Sequence, residues 1–395
     1  MKTFGKLSLK GSVHFEEKMT KLLNDISSDI EASIVSSSYT CVILIGGYGR
    51  GEGGVIKVQN VEFPHNNLDF LIVSKNIGKE KELELKNKIH SIIASHCSHF
   101  DIDFDLSLIS EFKLRMCEPL VITYDMKYGH KVISGDFSFF TSMSRFDIEN
   151  IPDWDIRNLM VNRGTLLTIN DLILAKKDHS MKDLKTIIKH CVKAIIGYGD
   201  ALLYYQGEYH YSYVEKKLRM KKQNNIDDNF KKMYDDAMAF RFEPNYQKYL
   251  QLDLIIFQND VKEILKKIHL NCEAMSLQKK DIKWQGYFET ALSNSLSHNL
   301  SLKMVLKNIR NLFLPNNLIK NLSLTNRLRV KMLGYKGVLP LLFPYVAFGM
   351  QDKNTDVLNS FFHIKTSNSM LLKQQYLVYW GKYVNNNFSF KEYGL

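Results

Sequence analysis

The sequence predicts an α+β protein, in which a small domain with strands precedes a mostly helical C-terminal region. Short apolar runs rich in β-branched residues are concentrated before about residue 150. After that point apolar residues recur at intervals of three and four, which is the spacing of one helix face. The chain has 395 residues and is 45% hydrophobic, so it is long enough and apolar enough for two or three folded domains.

Changes in composition divide the chain into three predicted domains. Pro152 follows an aromatic stretch and marks the end of the first, residues 1–150. Residues 151–297 carry strong helical periodicity. Residues 298–395 are predicted to form a basic helical region. The basic character comes from residues 290–351, which contain eight Lys or Arg and no Asp or Glu.

The first domain is predicted to alternate helices and strands. The strand at 100–109 has period two, so its polar residues share one face. The predicted elements are a helix over 15–34 with Ser12 as N-cap, strands at 40–45 and 68–73, a helix at 79–97, a strand at 100–109, a helix or strand at 120–125, and a strand and turn at 131–136. The polar face of the 100–109 strand consists of Asp101, Asp103, Asp105 and Ser107.

A glycine cluster connects the first two predicted strands. Six of the nine residues in 46–54 are Gly, and the next apolar run begins Asn67-Leu68-Asp69. Glycine leaves backbone amides bare and permits turns that direct several N–H groups at one anion. A carboxylate on the following strand would be placed to hold a metal ion that bridges phosphates.

The segment Gly-Gly-Tyr-Gly-Arg-Gly-Glu from Gly46, followed by strand-borne acids, resembles the nucleotidyltransferase superfamily that includes DNA polymerase beta. The resemblance covers roughly the first third of the chain. It implies a small mixed-sheet catalytic domain, followed by helices that close the nucleotide cleft. It also implies transfer of an NMP group from an NTP, with ATP expected, and dependence on Mg²⁺ or Mn²⁺.

The resemblance also implies roles for individual residues. Two metal ions would sit on strand-borne acids, and a third acid would accept the proton of the attacking hydroxyl. Sequence alone leaves Asp105 and Asp103 both open as that third acid, with Asp105 preferred. The implied triphosphate contacts are Gly46, Gly47, Tyr48, Arg50, Lys189 and Lys193, and the implied metal ligands are Asn67, Asp69 and Asp105. Lys189 and Lys193 share a helix face with Lys185, and a plain solvated face has the same spacing.

The family pattern has Asp where this chain has Asn67. Hard cations favour charged oxygens, so two interpretations follow. Asn67 is either a weaker ligand in a working enzyme or the trace of a lost one. The spacer before Asn67 is also longer than the usual one, which predicts an inserted loop near residues 57–65.

Charge and cysteine content bound the partners and the compartment. The net charge of +11 favours polyanionic partners, and the basic C-terminal region would contact nucleic acid or an anionic membrane surface. The five cysteines lack paired spacing, the first ten residues lack a signal-peptide core, and no apolar run reaches membrane-spanning length. These features predict a cytoplasmic protein without a transmembrane segment.

Three functional hypotheses follow. The first is a nucleotidyltransferase with a hydroxyl or phosphate acceptor on a small molecule, a protein or an RNA end. The second is a degenerate relative that binds nucleotide or a partner without catalysis. The third is a nucleic-acid-binding protein that uses its basic C-terminal third. The aromatic stretch 204–213 would stack on a base or pack in a core.

Overall fold

The structure is a computed structural model, and it describes residues 2–98, 100, 102–280, 282–296, 302–313, 319, 322–349 and 355–395. The chain forms two compact units. The first contains residues 1–152, 209–226 and 235–245, and the second contains residues 153–208, 227–234 and 246–395. The first unit therefore includes two segments that come later in the sequence, after residues 153–208 of the second unit.

The first unit contains every named strand. Its strands are β1 (Tyr39–Ile45), β2 (Val55–Val58), β3 (Val61–Pro64), β4 (Leu68–Ser74), β5 (Phe104–Ser110) and β6 (Lys131–Gly135). Its helices are α1 (Val13–Ser33), the single turn α2 (Gly46–Gly49), α3 (Lys79–Ser98), α4 (Glu111–Met116), α5 (Val121–Tyr128), α8 (Tyr213–Lys222) and the C-terminal part of α9 (Asp228–Phe242).

Four strands form a mixed sheet in the order β5-β4-β1-β6. Strand β1 is antiparallel to both β4 and β6, whereas β4 and β5 are parallel. Both faces of the two central strands are buried, which explains why β1 and β4 are almost continuously apolar. Val42, Leu44, Phe70 and Ile72 face a core shared with α1 and α3, and the alternate residues face a second core shared with residues 139–146.

The α+β fold class predicted from the sequence is confirmed: a small mixed sheet near the N-terminus precedes a mostly helical region. The first helix begins as expected, with the Ser12 hydroxyl accepting a hydrogen bond from the Phe15 N–H at 3.2 Å. The inserted segment before Asn67 is a β-hairpin of β2 and β3 rather than a loop.

The third strand starts later than predicted. The N–H groups of Phe100 and Ile102 both donate to the Cys97 carbonyl, at 3.1 and 3.2 Å, and so extend the end of α3. Strand β5 therefore begins at Phe104, after residue 103. The predicted face position Asp101 lies outside the described residues.

The second unit is helical in its described part. Its helices are α6 (Asp153–Leu174), α7 (Met181–Tyr205), the N-terminal part of α9, α10 (Tyr246–Leu250), α11 (Leu254–Ser276), α12 (Tyr287–Asn294), α13 (Leu302–Leu312), α14 (Leu324–Ala347), α15 (Thr355–Phe362) and α16 (Ser369–Tyr383). None of the helices within the described ranges is both long and apolar enough to cross a membrane.

Polar groups are buried between helices of this unit. The Arg157 guanidinium donates two hydrogen bonds to the Glu273 carboxylate, each 2.7 Å long, and both side chains are buried. His190 is buried and hydrogen bonds through Nδ1 to Asn170 Oδ1 at 2.7 Å. Burial lowers the pKa of His190 to about 3 and the pKa of the buried His269 to about 4.

Candidate functional site

Asp69 and Asp105 occupy paired positions on neighbouring parallel strands. The register aligns Asp69 of β4 with Asp105 of β5, and Asp69 also opposes Ile45, the last residue of β1. Paired residues on adjacent strands point to the same face, about 5 Å apart along the hydrogen-bonding direction. Asp69 is half-buried and Asp105 is exposed, so the pair lies at the solvent edge of the sheet.

Asp103 lies just before β5, two residues ahead of Asp105. Its carbonyl accepts a hydrogen bond from the Leu68 N–H at 3.0 Å, which places it level with the segment before β4. Of the two acids that the sequence left open, Asp105 is therefore the one paired with Asp69.

Asn67 is directed at the same carboxylate. Its Nδ2 donates a hydrogen bond of 3.1 Å to Asp105 Oδ2. The position where the family pattern has its first acid is thus occupied by a neutral amide, which donates a hydrogen bond to Asp105.

The glycine turn closes onto Asp69. Gly46 has φ +71°, and a Cβ at this position would lie 2.4 Å from Asp69 Oδ2. A side chain would be strained by the backbone conformation and would force the carboxylate to shift. The first glycine after β1 therefore lets the turn and the acid approach within van der Waals contact.

The side chain of Tyr48 is part of the core rather than of an open site. It is buried, and its hydroxyl donates to the Gly54 carbonyl at 2.6 Å. Burial raises the pKa of the Tyr48 phenol, so the group stays a neutral donor. Only the Tyr48 backbone is left to take the role that the resemblance implies.

Arg50 points away from solvent. Its side chain is 6% exposed, its Nη1 pairs with Asp125 Oδ2 at 3.2 Å, and its Nη2 donates to the Tyr213 hydroxyl at 3.1 Å. The guanidinium is thus held by groups of the first unit.

Arg241 lies beside the glycine turn and was not predicted from the sequence. Its Nη2 would be 3.3 Å from a Cβ at Gly47, and its guanidinium stacks on the Tyr213 ring at 4.1 Å. Its Nε is buried without a hydrogen-bond partner, and no acid within the described part of the chain forms an ion pair with it. No local signal marks this residue, because it belongs to a helix far along the chain.

Glu52 attaches helix α8 to the glycine turn. Its buried carboxylate accepts hydrogen bonds from the Ser212 hydroxyl at 2.5 Å and from the Tyr213 and Val214 N–H groups at 2.8 and 3.3 Å. A carboxylate is favourable at a helix N-terminus, where N–H groups lack intrahelical partners. This contact positions Tyr213 beside both Arg50 and Arg241. The aromatic stretch 204–213 was its only sequence signal.

Lys189 and Lys193 lie on α7 in the second unit, whereas the glycine turn and the acids lie in the first. Lys193 is exposed and Lys189 is half-buried. Burial, together with the nearby positive charge of Lys185, lowers the pKa of Lys189.

The donor set of the site fits a divalent cation that is shared with a phosphate ligand. Across the described residues there is no cluster of three His, Cys, Asp or Glu side chains arranged to hold a metal ion. The site offers two carboxylates, Asp69 and Asp105, and the amide oxygen of Asn67. Mg²⁺ is commonly bound by one or two carboxylates, with phosphate oxygens and water completing its shell.

Comparison of the chain with protein-family models, with curated proteins and with solved structures found no match in any of the three. The function is therefore inferred from the residues that the first unit brings together, which are Gly46, Gly47, Asn67, Asp69, Asp105 and Arg241.

Proposed function

We propose that the protein is a magnesium-dependent nucleotidyltransferase that moves an NMP group from an NTP, with ATP expected, to a hydroxyl or phosphate acceptor. The observation that carries the proposal is the pairing of Asp69 with Asp105 directly beside the Gly46 turn. Phosphoryl-type transfer needs carboxylates that bind metal next to backbone N–H groups that donate hydrogen bonds to phosphates. Asp69 and Asp105 would supply the carboxylates, and the turn at Gly46 would supply the N–H groups.

The triphosphate would lie along the glycine turn. The amides of Gly46, Gly47 and Tyr48 would donate to its oxygens, and Arg241 would add positive charge beside Gly47. Arg50 would contribute through the Tyr213 contact that it shares with Arg241. Mg²⁺ or Mn²⁺ held by Asp69, Asp105 and Asn67 would neutralise charge on the transferred phosphorus.

In the transfer step the acceptor oxygen bonds to the α-phosphorus, and the bond from that phosphorus to the pyrophosphate oxygen breaks. The proton of an acceptor hydroxyl passes to Asp105, which is exposed and so within reach of an acceptor. Pyrophosphate leaves with the electron pair. Asp103, just before β5, is the other candidate base.

The test is incubation with each α-labelled NTP and Mg²⁺ or Mn²⁺, with a cell extract as the source of acceptor. Asp105→Asn is expected to abolish label transfer, whereas Asp103→Asn, which tests the other candidate base two residues earlier, is expected to retain it. Loss of transfer in Asp103→Asn alone would move the base to Asp103. Absence of labelled product in the wild type would contradict the proposal.

A second candidate function is nucleotide binding without catalysis. It is favoured by the hydrogen bond from the Asn67 amide to Asp105, because that donor stands where the family pattern has an acid. This candidate predicts that the wild type binds labelled ATP without transferring it and that Asn67→Asp gains transfer. Transfer by the wild type would exclude it.

A further inference from the structure

Helix α13 leaves three apolar side chains exposed, while two of its asparagines are buried and Met304, Val305 and Leu312 are half-buried. Leu306, Ile309 and Phe313 are 59%, 45% and 83% exposed, whereas Asn308 and Asn311 are 6% and 7% exposed. A helix packed on a protein surface ordinarily does the opposite, with its apolar stripe toward the core. Within the described part of the chain, these three side chains are therefore available for a contact outside this unit.

One of the inward asparagines, Asn311, fixes this orientation through a hydrogen bond to the next helix. Asn311 Nδ2 donates to the Met332 carbonyl of α14 at 2.8 Å. Just beyond that carbonyl, Gly334 has φ +63° and interrupts the helix, and a Cβ there would lie 3.1 Å from Asn311 Nδ2. A break in a helix leaves carbonyls that need outside donors, and Asn311 supplies one. Helix α13 is thus held with its apolar stripe facing out.

The N-terminal turns of α14 repeat the pattern. Leu324 and Leu328 are spaced at i and i+4 and are 79% and 55% exposed. We call the outward residues of the two packed helices the α13–α14 surface. Its exposed members are Leu306, Lys307, Ile309, Arg310, Phe313, Leu324, Arg327 and Leu328.

The charge of this region has one sign. Residues 290–351 contain eight Lys or Arg and no Asp or Glu. Exposed Leu, Ile and Phe side chains flanked by cations are the composition of a helix that lies in the plane of an anionic membrane. We propose that the α13–α14 surface docks on an anionic lipid bilayer, with its apolar side chains at the acyl boundary and its cations at the headgroups.

Two other occupants fit the same residues less well. A second copy of the chain would bring like charges together, which is costly across an interface. A nucleic acid would use the cations but would leave the Leu and Ile side chains in water, because phosphate contacts come from charged and polar groups. An anionic bilayer would contact both the exposed apolar side chains and the cations. This docking does not depend on nucleotidyl transfer.

The test is vesicle flotation of the full chain. The wild type is expected to float with vesicles of phosphatidylcholine and phosphatidylserine, not with phosphatidylcholine alone, and to release as salt is raised. The double variant Ile309→Ser/Phe313→Ser is expected to partition about tenfold more weakly or worse. The matched control is Ile255→Ser/Ile256→Ser, which changes two residues of α11 that are 53% and 59% exposed.

Several results would overturn the proposal. These are no flotation with anionic vesicles, equal flotation with neutral ones, or equal loss in the two double variants. Light scattering that shows a dimer disrupted only by Ile309→Ser/Phe313→Ser would assign the surface to a second copy. Binding of a single-stranded oligonucleotide that Arg310→Glu abolishes and the double variant spares, without flotation, would assign it to nucleic acid.

Discussion

Asn67 donates a hydrogen bond to Asp105 through its amide nitrogen, at 3.1 Å from Nδ2 to Oδ2. The bond connects the residue before β4 to the strand beside it, so it helps to hold the solvent edge of the acidic face together. An Asp at position 67 would lack this donor and would place a third negative charge beside Asp69 and Asp105.

We therefore expect Asn67→Asp to exchange stability for metal affinity. Without metal, the variant should lose about 0.5–1.5 kcal/mol, because a hydrogen bond is replaced by like-charge repulsion. With Mg²⁺ present, its melting temperature should rise more than that of the wild type. Thermal melts with and without Mg²⁺ test this, and an equal Mg²⁺ response in both proteins would contradict it.

Gly46→Ala should disturb the site through one side-chain contact. Gly78 offers a matched control, because it has φ +86° with nothing within 4 Å of a Cβ, whereas a Cβ at Gly46 would meet Asp69 Oδ2 at 2.4 Å. Both alanines carry the backbone cost of about 1–2 kcal/mol. Gly46→Ala should cost at least about 1 kcal/mol more in urea unfolding and should weaken Mg²⁺–ATP binding, which Gly78→Ala should leave intact. Equal losses of stability in the two variants would show that the Asp69 carboxylate moves aside without a measurable energetic penalty.

Substitution of the two arginines near the glycine turn should have different effects, one on ligand binding and the other on stability. Arg241→Gln should weaken ATP binding about tenfold, because a cation beside Gly47 is lost. Arg50→Gln should mainly lower the free energy of unfolding, by about 1–3 kcal/mol, because Asp125 loses its buried partner. Calorimetric ATP titration and urea unfolding of both variants test the distinction. The opposite assignment of effects would place Arg50 in the site.

Substituting only one member of the buried pair Arg157 and Glu273 should strongly destabilise the protein. Arg157→Met is expected to destabilise the second unit by about 3–5 kcal/mol, because it leaves the Glu273 carboxylate buried and unpaired. The double variant Arg157→Met/Glu273→Met should recover part of that loss. Urea denaturation of the single and double variants measures the coupling, and a cost under about 1 kcal/mol for the single change would refute it.

Two buried histidines should make the fold sensitive to mild acid. Burial lowers the pKa of His190 to about 3 and of His269 to about 4, from an ordinary value of 6.5. Between pH 6.5 and these values the unfolded chain binds protons that the folded chain does not, so stability falls as pH falls. We expect a loss of about 1–2 kcal/mol per histidine between roughly pH 7 and pH 5.

The measurement is urea denaturation at both pH values. His269→Phe should flatten the pH dependence, whereas substitution of the exposed His14 by Gln should leave it unchanged. The same slope in His269→Phe and in the wild type would contradict the prediction.

Local patterns predicted the elements that carry the acids. The continuous apolar character of β1 and β4 follows from burial on both faces, and the alternation in residues 103–107 follows from an edge strand with one wet face. Together with the family resemblance, these patterns pointed to Asp69 and to Asp103 or Asp105, and they left the choice between the last two open. The pairing of Asp69 with Asp105 could not be predicted, because strand register depends on contacts between distant segments.

The cations of the site show the limit of local inference. Arg50 is adjacent to the glycines in sequence, yet its side chain turns inward to Asp125 and Tyr213. Arg241 has no sequence neighbour at the site, and it reaches Gly47 because the C-terminal part of α9 belongs to the first unit. Neither periodicity nor spacing contains this information. The hairpin of β2 and β3 was likewise missed, because its four-residue strands are too short to show alternation.

The first unit is assembled from three separate stretches of chain, the last of which ends at residue 245. During synthesis on the ribosome, its sheet would emerge well before Tyr213 and Arg241 do. A nascent chain that stops near residue 150 would thus carry Glu52 without the helix that it caps and the glycine turn without Arg241. Maturation of the candidate site would have to wait until most of the intervening helical segment had left the exit tunnel, so proteolytic fragments of the N-terminal third would be poor substitutes for the whole protein.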